Sequence, residues 1–225
     1  MQQNKGKLIV IDGLDGSGKS TQLELCVKHF EENGKRCRSI SFPDYSNPSS
    51  SLVKMYLAGE FSQNANDVNA YAASSFYAVD RYASYKQFWE KDYINGAFIL
   101  AGRYVSSNAI HQMVKLDASQ WDEYLDWLGD YEYEKLGLPQ ADAVIFLDMP
   151  IEVSQKLLSQ RYCGDEGKKD IHESNVDYLK KCRQSALYAA KKLGWYVVSC
   201  AENGEPLKRG EILSKILEII GEIDA

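Results

Sequence analysis

Leu8-Ile9-Val10-Ile11-Asp12-Gly13-Leu14-Asp15-Gly16-Ser17-Gly18-Lys19-Ser20-Thr21 decides how the rest of the chain is read. Four consecutive aliphatic residues, Leu8 to Ile11, have the character of a strand covered on both faces. From Ser20 onward, Leu23, Leu25, Val27 and Phe30 fall near helical spacing until Asn33-Gly34 stops the pattern. Between strand and helix, Gly13 to Thr21 satisfies G-x-x-x-x-G-K-[ST]. That spacing lets the backbone N–H groups of Gly13, Leu14, Asp15, Gly16, Ser17, Gly18, Lys19, Ser20 and Thr21 converge on phosphate oxygens. Lys19 then reaches the β- and γ-phosphates, and the Ser20 hydroxyl can ligate Mg²⁺. The helix N-terminus completes one anion site. A dinucleotide fingerprint does not fit: GxGxxG started at Gly16 would put Thr21 where the third glycine belongs.

With 225 residues, 44% of them apolar, the chain can bury a full core and is expected to form one domain, residues 1–225. No apolar run approaches membrane-spanning length, and Met1 to Lys7 is too short and polar for a signal peptide. The five cysteines (Cys26, Cys37, Cys163, Cys182, Cys200) are odd in number and scattered. They read as free thiols of a cytoplasmic protein rather than a disulfide frame or zinc site. A net charge of −6 argues against nucleic acid as a partner, so any phosphate site must be built from a local cluster of cations.

Strands are predicted at 7–11, 36–42, 97–101, 143–148 and 195–200, with interiors continuous rather than alternating. Helical stretches are predicted at 20–33, 50–59, 67–92, 105–115, 118–135, 151–162, 174–193 and 208–223. Alternation of this kind gives an α/β fold, a three-layer sandwich with a five-stranded parallel sheet flanked by helices. Ligands of such sheets gather at the carboxyl ends of strands, so the residues after each strand hold the chemistry.

After the second strand, Phe42-Pro43-Asp44-Tyr45 offers a stiff turn and an apolar wall. Inside the long third helix, Tyr77 and Arg81 are four apart and share a face: a flat ring to stack on a base, beside a fork for a phosphate. After the third strand, Gly102-Arg103-Tyr104 brings a second cation, followed by a helix whose Ser107, Asn108, His111 and Gln112 can read a base edge. Arg161 to Asp170, with two glycines and three cations, reads as a short lid that closes over a phosphoryl-transfer site.

These pieces, in this order, resemble the thymidylate kinase family from Gly13 to nearly the end of the chain. The matching segments are GLDGSGKST (13–21), FPDY (42–45), YAVDRY (77–82), GRYVSSNAIHQ (102–112), GLPQADAVIFLD (137–148) and the lid at 161–173. The resemblance implies a P-loop kinase fold and transfer of the γ-phosphoryl of ATP to dTMP, with Mg²⁺, in a homodimer. It implies Lys19 on the ATP phosphates, Ser20 on the metal and Asp15 toward the deoxyribose 3′-hydroxyl. Phe42 and Pro43 would line the acceptor pocket and Tyr77 would stack on thymine. Arg81 and Arg103 match the arginines that hold the acceptor phosphate, while Ser107, Asn108 and Gln112 line the base pocket. Lys19, Arg103, Arg161 and Asp15 are thus the candidate catalytic residues.

Some family members carry a P-loop arginine where this chain has Gly16; others supply the catalytic arginine from the lid, and Gly16 with Arg161 resembles the second type. One departure is larger. The family's Asp-Arg-Tyr reads Gly102-Arg103-Tyr104 here, so the carboxylate that assists Mg²⁺ at the end of that strand is missing. A lost charge-assisted contact of that kind costs about 1.5–3 kcal/mol, roughly tenfold to a hundredfold in rate. Tyr45 also stands where some members have a phosphate-binding arginine. The competing readings are a kinase for another nucleoside monophosphate or a deoxynucleoside, and a nucleotide-binding protein with weakened catalysis.

Overall fold

In the computed structural model, residues 5–62, 64, 67–161 and 176–224 are described. Five parallel strands form one sheet in the order β2-β3-β1-β4-β5: β1 (Leu8–Gly13), β2 (Cys37–Ser41), β3 (Phe98–Gly102), β4 (Ala143–Asp148) and β5 (Tyr196–Ser199). Helices α1 (Lys19–Glu32), α2 (Ser51–Leu57), α3 (Ala70–Ser84), α4 (Glu90–Ile94), α5 (Ser106–His111), α6 (Trp121–Gly129), α7 (Ile151–Arg161), α8 (Val176–Leu193) and α9 (Arg209–Asp224) flank it. The expected α/β sandwich is present.

Burial follows position in the sheet. Every residue of β1 is buried, as are most of β3 and β4, so the three inner strands read as unbroken apolar runs. The two outer strands differ from expectation. In β5 three of four residues are exposed, and in β2 none is buried, because each has a free flank and a thinner cover of helices. One core cluster under α3, α5 and α6 centres on Trp89, Tyr104 and Tyr124; a second under α1 and α9 centres on Ile9, Ile145 and Ile216.

The long helix expected at 67–92 is interrupted. After α3 the backbone widens into a π-turn over Tyr85–Trp89 before α4 resumes. Tyr85 and Trp89 both reach the core there, with rings 4.6 Å apart. A similar widening, Asp130–Lys135, extends α6 and turns Glu132 fully inward. A small antiparallel pair that no periodicity announces, β6 (Ala201–Glu202) and β7 (Glu205–Pro206), lies between β5 and α9. Residues 162–173, where the lid is expected, and the Arg161 side chain lie outside the described part of the chain. No helix among the described residues is long and apolar enough to cross a membrane.

Candidate active site

Strand registry sets the site. Ile11 pairs with Gly102 and Gly13 with Leu147, so the carboxyl ends of β1, β3 and β4 lie side by side. The P-loop leaves β1 at Gly13 and enters α1 at Lys19. Gly16 has φ 79, and a Cβ there would sit 2.9 Å from the Ser154 carbonyl of α7. Any side chain at that position, an arginine included, conflicts with both its backbone and α7. Gly18, with φ 89, forms the left-handed cap from which α1 starts.

At the centre stands Asp15. Its Oδ1 accepts a hydrogen bond from Arg103 Nη2 at 2.6 Å and from Lys19 Nζ at 3.5 Å. Burial works against the ionised form, yet Arg103 and then Lys19 overcome it and hold the carboxyl well below its usual range. Lys19 also donates to the Leu14 carbonyl at 2.8 Å; burial, then the charge of Arg103, brings its ammonium down to about 8. Arg103 is one of two described non-glycine residues in the left-handed region, with φ 67. That turn, directly after the last residue of β3, swings its side chain back over the P-loop.

On its other side, Arg103 Nη1 lies 3.1 Å from His111 Nε2. Arginine has only donors, so the ring nitrogen accepts and the ring is neutral. Burial, then the charge of Arg103, pushes the His111 pKa down from 6.5 to about 3. Asp12, fully buried, accepts from the Gly13 N–H at 2.8 Å and from the hydroxyls of Ser106 and Ser107 at 2.6 and 2.7 Å. This carboxylate ties the start of the P-loop to the first turn of α5. Ser107, expected to face the base, gives its hydroxyl to that tie.

Two further residues expected at the ligand are engaged within the protein itself. Arg81, assigned to the acceptor phosphate, is 1% exposed, and its Nε and Nη2 form a bidentate pair with Glu132 at 2.7 and 2.6 Å. Its Nη1 donates to the Tyr104 carbonyl at 3.2 Å. Asn108, assigned to the base edge, donates to Glu132 Oε1 at 3.0 Å and to the Ser74 carbonyl at 3.2 Å. Ser74 and Tyr124 close the network with a 2.6 Å hydroxyl pair. Arginine and amide are therefore structural ties beneath the pocket, holding α3 and α5 together and bracing the backbone just after Arg103. Glu132 is the residue sequence reasoning missed: nothing near it in the chain identifies its partner 51 positions away.

Phe42 is buried, its ring centroid 6.0 Å from that of Tyr104, and the Phe42–Pro43 peptide bond is cis. Asp80 anchors the following turn, accepting from the Asp44 N–H at 2.9 Å and the Ser49 hydroxyl at 2.6 Å. Tyr77 is half-buried and perpendicular to Tyr56. Burial, then nearby Tyr56 and Tyr45, raises its phenol, which keeps the ring neutral. Gln112 is buried, and its Oε1 has no hydrogen-bond partner among the described residues, an open acceptor on this wall.

On the opposite side of the P-loop, a cleft of about 420 Å³ opens between α1, α7 and the β7–α9 junction. Gly16, Thr21, Leu157, Gln160, Pro206 and Arg209 line it. Gln22 Nε2 holds its rim by donating to the Arg209 carbonyl at 3.0 Å. Gly16, Ser17 and Gly18 of the P-loop thus face this cleft, while Arg103 and Lys19 meet on Asp15 and the Tyr77 phenol feels the charge of Arg103.

The family model described as Thymidylate kinase matches residues 11–209. A thymidylate kinase of Mycobacterium tuberculosis is 28% identical over 189 residues, covering 81% of this chain and 84% of the relative. One from Caenorhabditis elegans is 32% identical over 161 residues, covering 68% and 67%. A solved structure of the Candida albicans thymidylate kinase superposes with a TM-score of 0.70 at 24% identity, covering 97% of this chain and 92% of that one; this likeness supports the fold.

Two outcomes test the geometry. Glu132→Ala strands the buried Arg81 charge and is expected to destabilise the fold by about 3–5 kcal/mol in urea unfolding; an unchanged midpoint would refute the pair as a structural tie. His111, by its lowered pKa, makes the unfolded chain bind a proton between pH 6.5 and about 3 that the native chain does not, so stability falls on acidification across that window. His111→Gln should flatten this slope by up to about 1.4 kcal/mol per pH unit. Parallel stability-versus-pH curves for the two proteins would show that the ring is not held neutral.

Proposed function

The chain belongs to the thymidylate kinase family, and on that premise we propose that it transfers the γ-phosphoryl group of ATP to dTMP, giving dTDP and ADP. The observation that carries this reading is the meeting of Lys19 and Arg103 on one carboxylate, Asp15, inside the P-loop.

In this reading the P-loop backbone and Lys19 hold the β- and γ-phosphates, and the adenosine occupies the 420 Å³ cleft beside Thr21 and Gln160. Arg103 neutralises the acceptor phosphate. An oxygen of that phosphate, already ionised at neutral pH, attacks the γ-phosphorus in line while the bond to the β–γ bridging oxygen breaks; no general base is required. Two unit charges about 4 Å apart at a protein surface repel by about 4 kcal/mol, so cations are needed before the anions can meet. Arg161 from the lid would add the last positive charge, and Asp15 would meet the deoxyribose 3′-hydroxyl. Phe42, Pro43 and Tyr77 would enclose the thymine, with Gln112 Oε1 accepting from its edge.

Magnesium fits a substrate-borne role. No group of three or more His, Cys, Asp or Glu side chains among the described residues could cage an ion, while Ser20, exposed at the first turn of α1, offers one hydroxyl. One protein ligand plus phosphate oxygens and water is the usual donor set for this metal. When bound, with the Ser20 hydroxyl as its protein ligand, it would supply positive charge that offsets the negative charge of the phosphates. A homodimer would use the outer face of α3, where Val79 and Tyr82 are exposed. The face of α5 is not available, because it packs on α8, with Ser185 donating to the Ala109 carbonyl at 2.6 Å. A cytoplasmic location accords with the free cysteines Cys26, Cys37, Cys182 and Cys200.

A coupled ADP-release assay should show turnover with dTMP in preference to dUMP and the other monophosphates; no turnover with any of them would overturn the assignment. Arg103→Ala is expected to lower kcat/KM for dTMP by about a hundredfold or more, the loss of a charge-assisted pair in a water-excluded site, with the KM for ATP unchanged. Restoring the family aspartate at Gly102 should need room. A Cβ at Gly102 falls 3.0 Å from Leu23 Cδ2 and 3.3 Å from Ser41 Oγ. Gly102→Asp with Leu23→Ala is therefore expected to gain more activity than Gly102→Asp alone, and equal activities would show that Leu23 is no obstacle.

A further inference from the structure

We propose that His111 is a positioning residue for Arg103: its Nε2 accepts from Nη1 at 3.1 Å while Asp15 accepts from Nη2 at 2.6 Å, and the two contacts fix the plane of the guanidinium toward the acceptor. The inference rests on the reading of Arg103 as the cation that meets the acceptor phosphate.

The geometry argues for it in three steps. Arginine is long and rotamer-rich, and a single bond to Asp15 leaves the guanidinium free to pivot about that contact. A second contact at the other terminal nitrogen removes the pivot. Neither contact occupies Nε, and each terminal nitrogen keeps a second N–H for the incoming oxygens.

The anchor is itself held. His111 ends α5 directly after the fully buried Ile110, and its own carbonyl accepts from the Tyr178 hydroxyl of α8 at 3.2 Å. Asp12 braces the other end of α5 through Ser106 and Ser107. The ring therefore does not follow Arg103; Arg103 follows the ring.

The type of side chain also matters. A carboxylate at 111 would add a second negative charge beside Arg103 and repel an acceptor phosphate. A cation would repel Arg103. An apolar ring or chain would leave Nη1 without its acceptor. A neutral acceptor meets all three requirements; burial, then the positive charges of Arg103 and Lys19, keep the imidazole in that form against the opposing pull of Asp15 and Asp12.

The test compares His111→Gln, His111→Asn and His111→Leu, each alone and with Arg103→Ala, in steady-state kinetics and in calorimetric titration of dTMP. Glutamine can place an oxygen near the position of Nε2; asparagine is too short. His111→Leu and His111→Asn should weaken dTMP affinity by about tenfold to a hundredfold, as for a lost hydrogen bond to a charged group, with the KM for ATP unchanged. His111→Gln should stay within about threefold of the parent, since the acceptor is replaced. In the Arg103→Ala background, His111→Leu should add no further loss, because the partner it positions is gone.

A silent His111→Leu beside a large Arg103→Ala loss would overturn the role of His111 alone. So would equal His111→Leu penalties with and without Arg103. Unaltered dTMP binding and turnover in Arg103→Ala would overturn the reading of Arg103, and the role of His111 with it. Should His111→Leu fail to fold by thermal melting, the glutamine–asparagine contrast decides: equal losses in both would sink the proposal.

Discussion

The structure turns on one carboxylate shared by two cations. Lys19 comes from the P-loop and Arg103 from the end of the neighbouring strand; without Asp15 between them, two partly buried positive charges would face each other. Asp15 removes that repulsion and fixes where each cation stands. The downward shift of Lys19 shows the tension that remains: burial and the nearby guanidinium both disfavour its charge. Two cations held by directional bonds beside the backbone N–H groups of the P-loop form a preorganised place for phosphate oxygens.

Around that centre, buried polar groups are used as ties rather than as ligands. Asp12 joins the P-loop to α5, Asp80 joins the turn after Phe42 to α3, and Glu132 joins α3 to α5 through Arg81 and Asn108. A buried ion pair contributes little to net stability, because taking two charges out of water offsets much of their attraction. What it does is restrict geometry. A bidentate arginine–carboxylate pair is satisfied in one relative placement of its helices, so the network fixes that placement. An apolar core at the same place could slide; a network with directional bonds cannot without leaving charges unpaired.

How much of this was legible in the chain depended on whether the signal was local. The P-loop was readable because strand, loop and helix are contiguous and each glycine has a backbone reason. The inner strands were readable because cover on both faces gives continuous apolar runs. The site near Lys19, Asp15 and Arg103 was readable from the rule that ligands gather at strand ends. Helical spacing placed Tyr77 and Arg81 on one face correctly, but spacing does not say which neighbour that face meets. Arg81 met Glu132, carried inward by a widened turn at Asp130–Lys135 that no propensity scale indicates. The same limit applies at Tyr85–Trp89, where two aromatic rings four residues apart both entered the core. Partners of buried charged groups that lie far apart in sequence were not legible, and the ties of Asp12, Asp80 and Glu132 are of that kind.

Gly102 shows how such a site accommodates a missing group. The residue is buried at the end of β3, paired with Ser41 on one side and Ile11 on the other. The space that a side chain would enter is closed by the Leu23 methyl group and the Ser41 hydroxyl. A side chain at this position would therefore need Leu23 of α1 and Ser41 of β2 to give way. In the proposed reaction this gives a division of labour: the P-loop backbone and Lys19 would manage charge near the γ-phosphate, and Arg103, held by Asp15 and His111 from two directions, would orient the acceptor. A centre short of one negative ligand for its metal is served better by a rigid cation than by a mobile one, since the misplacement of a charge costs most where least else compensates.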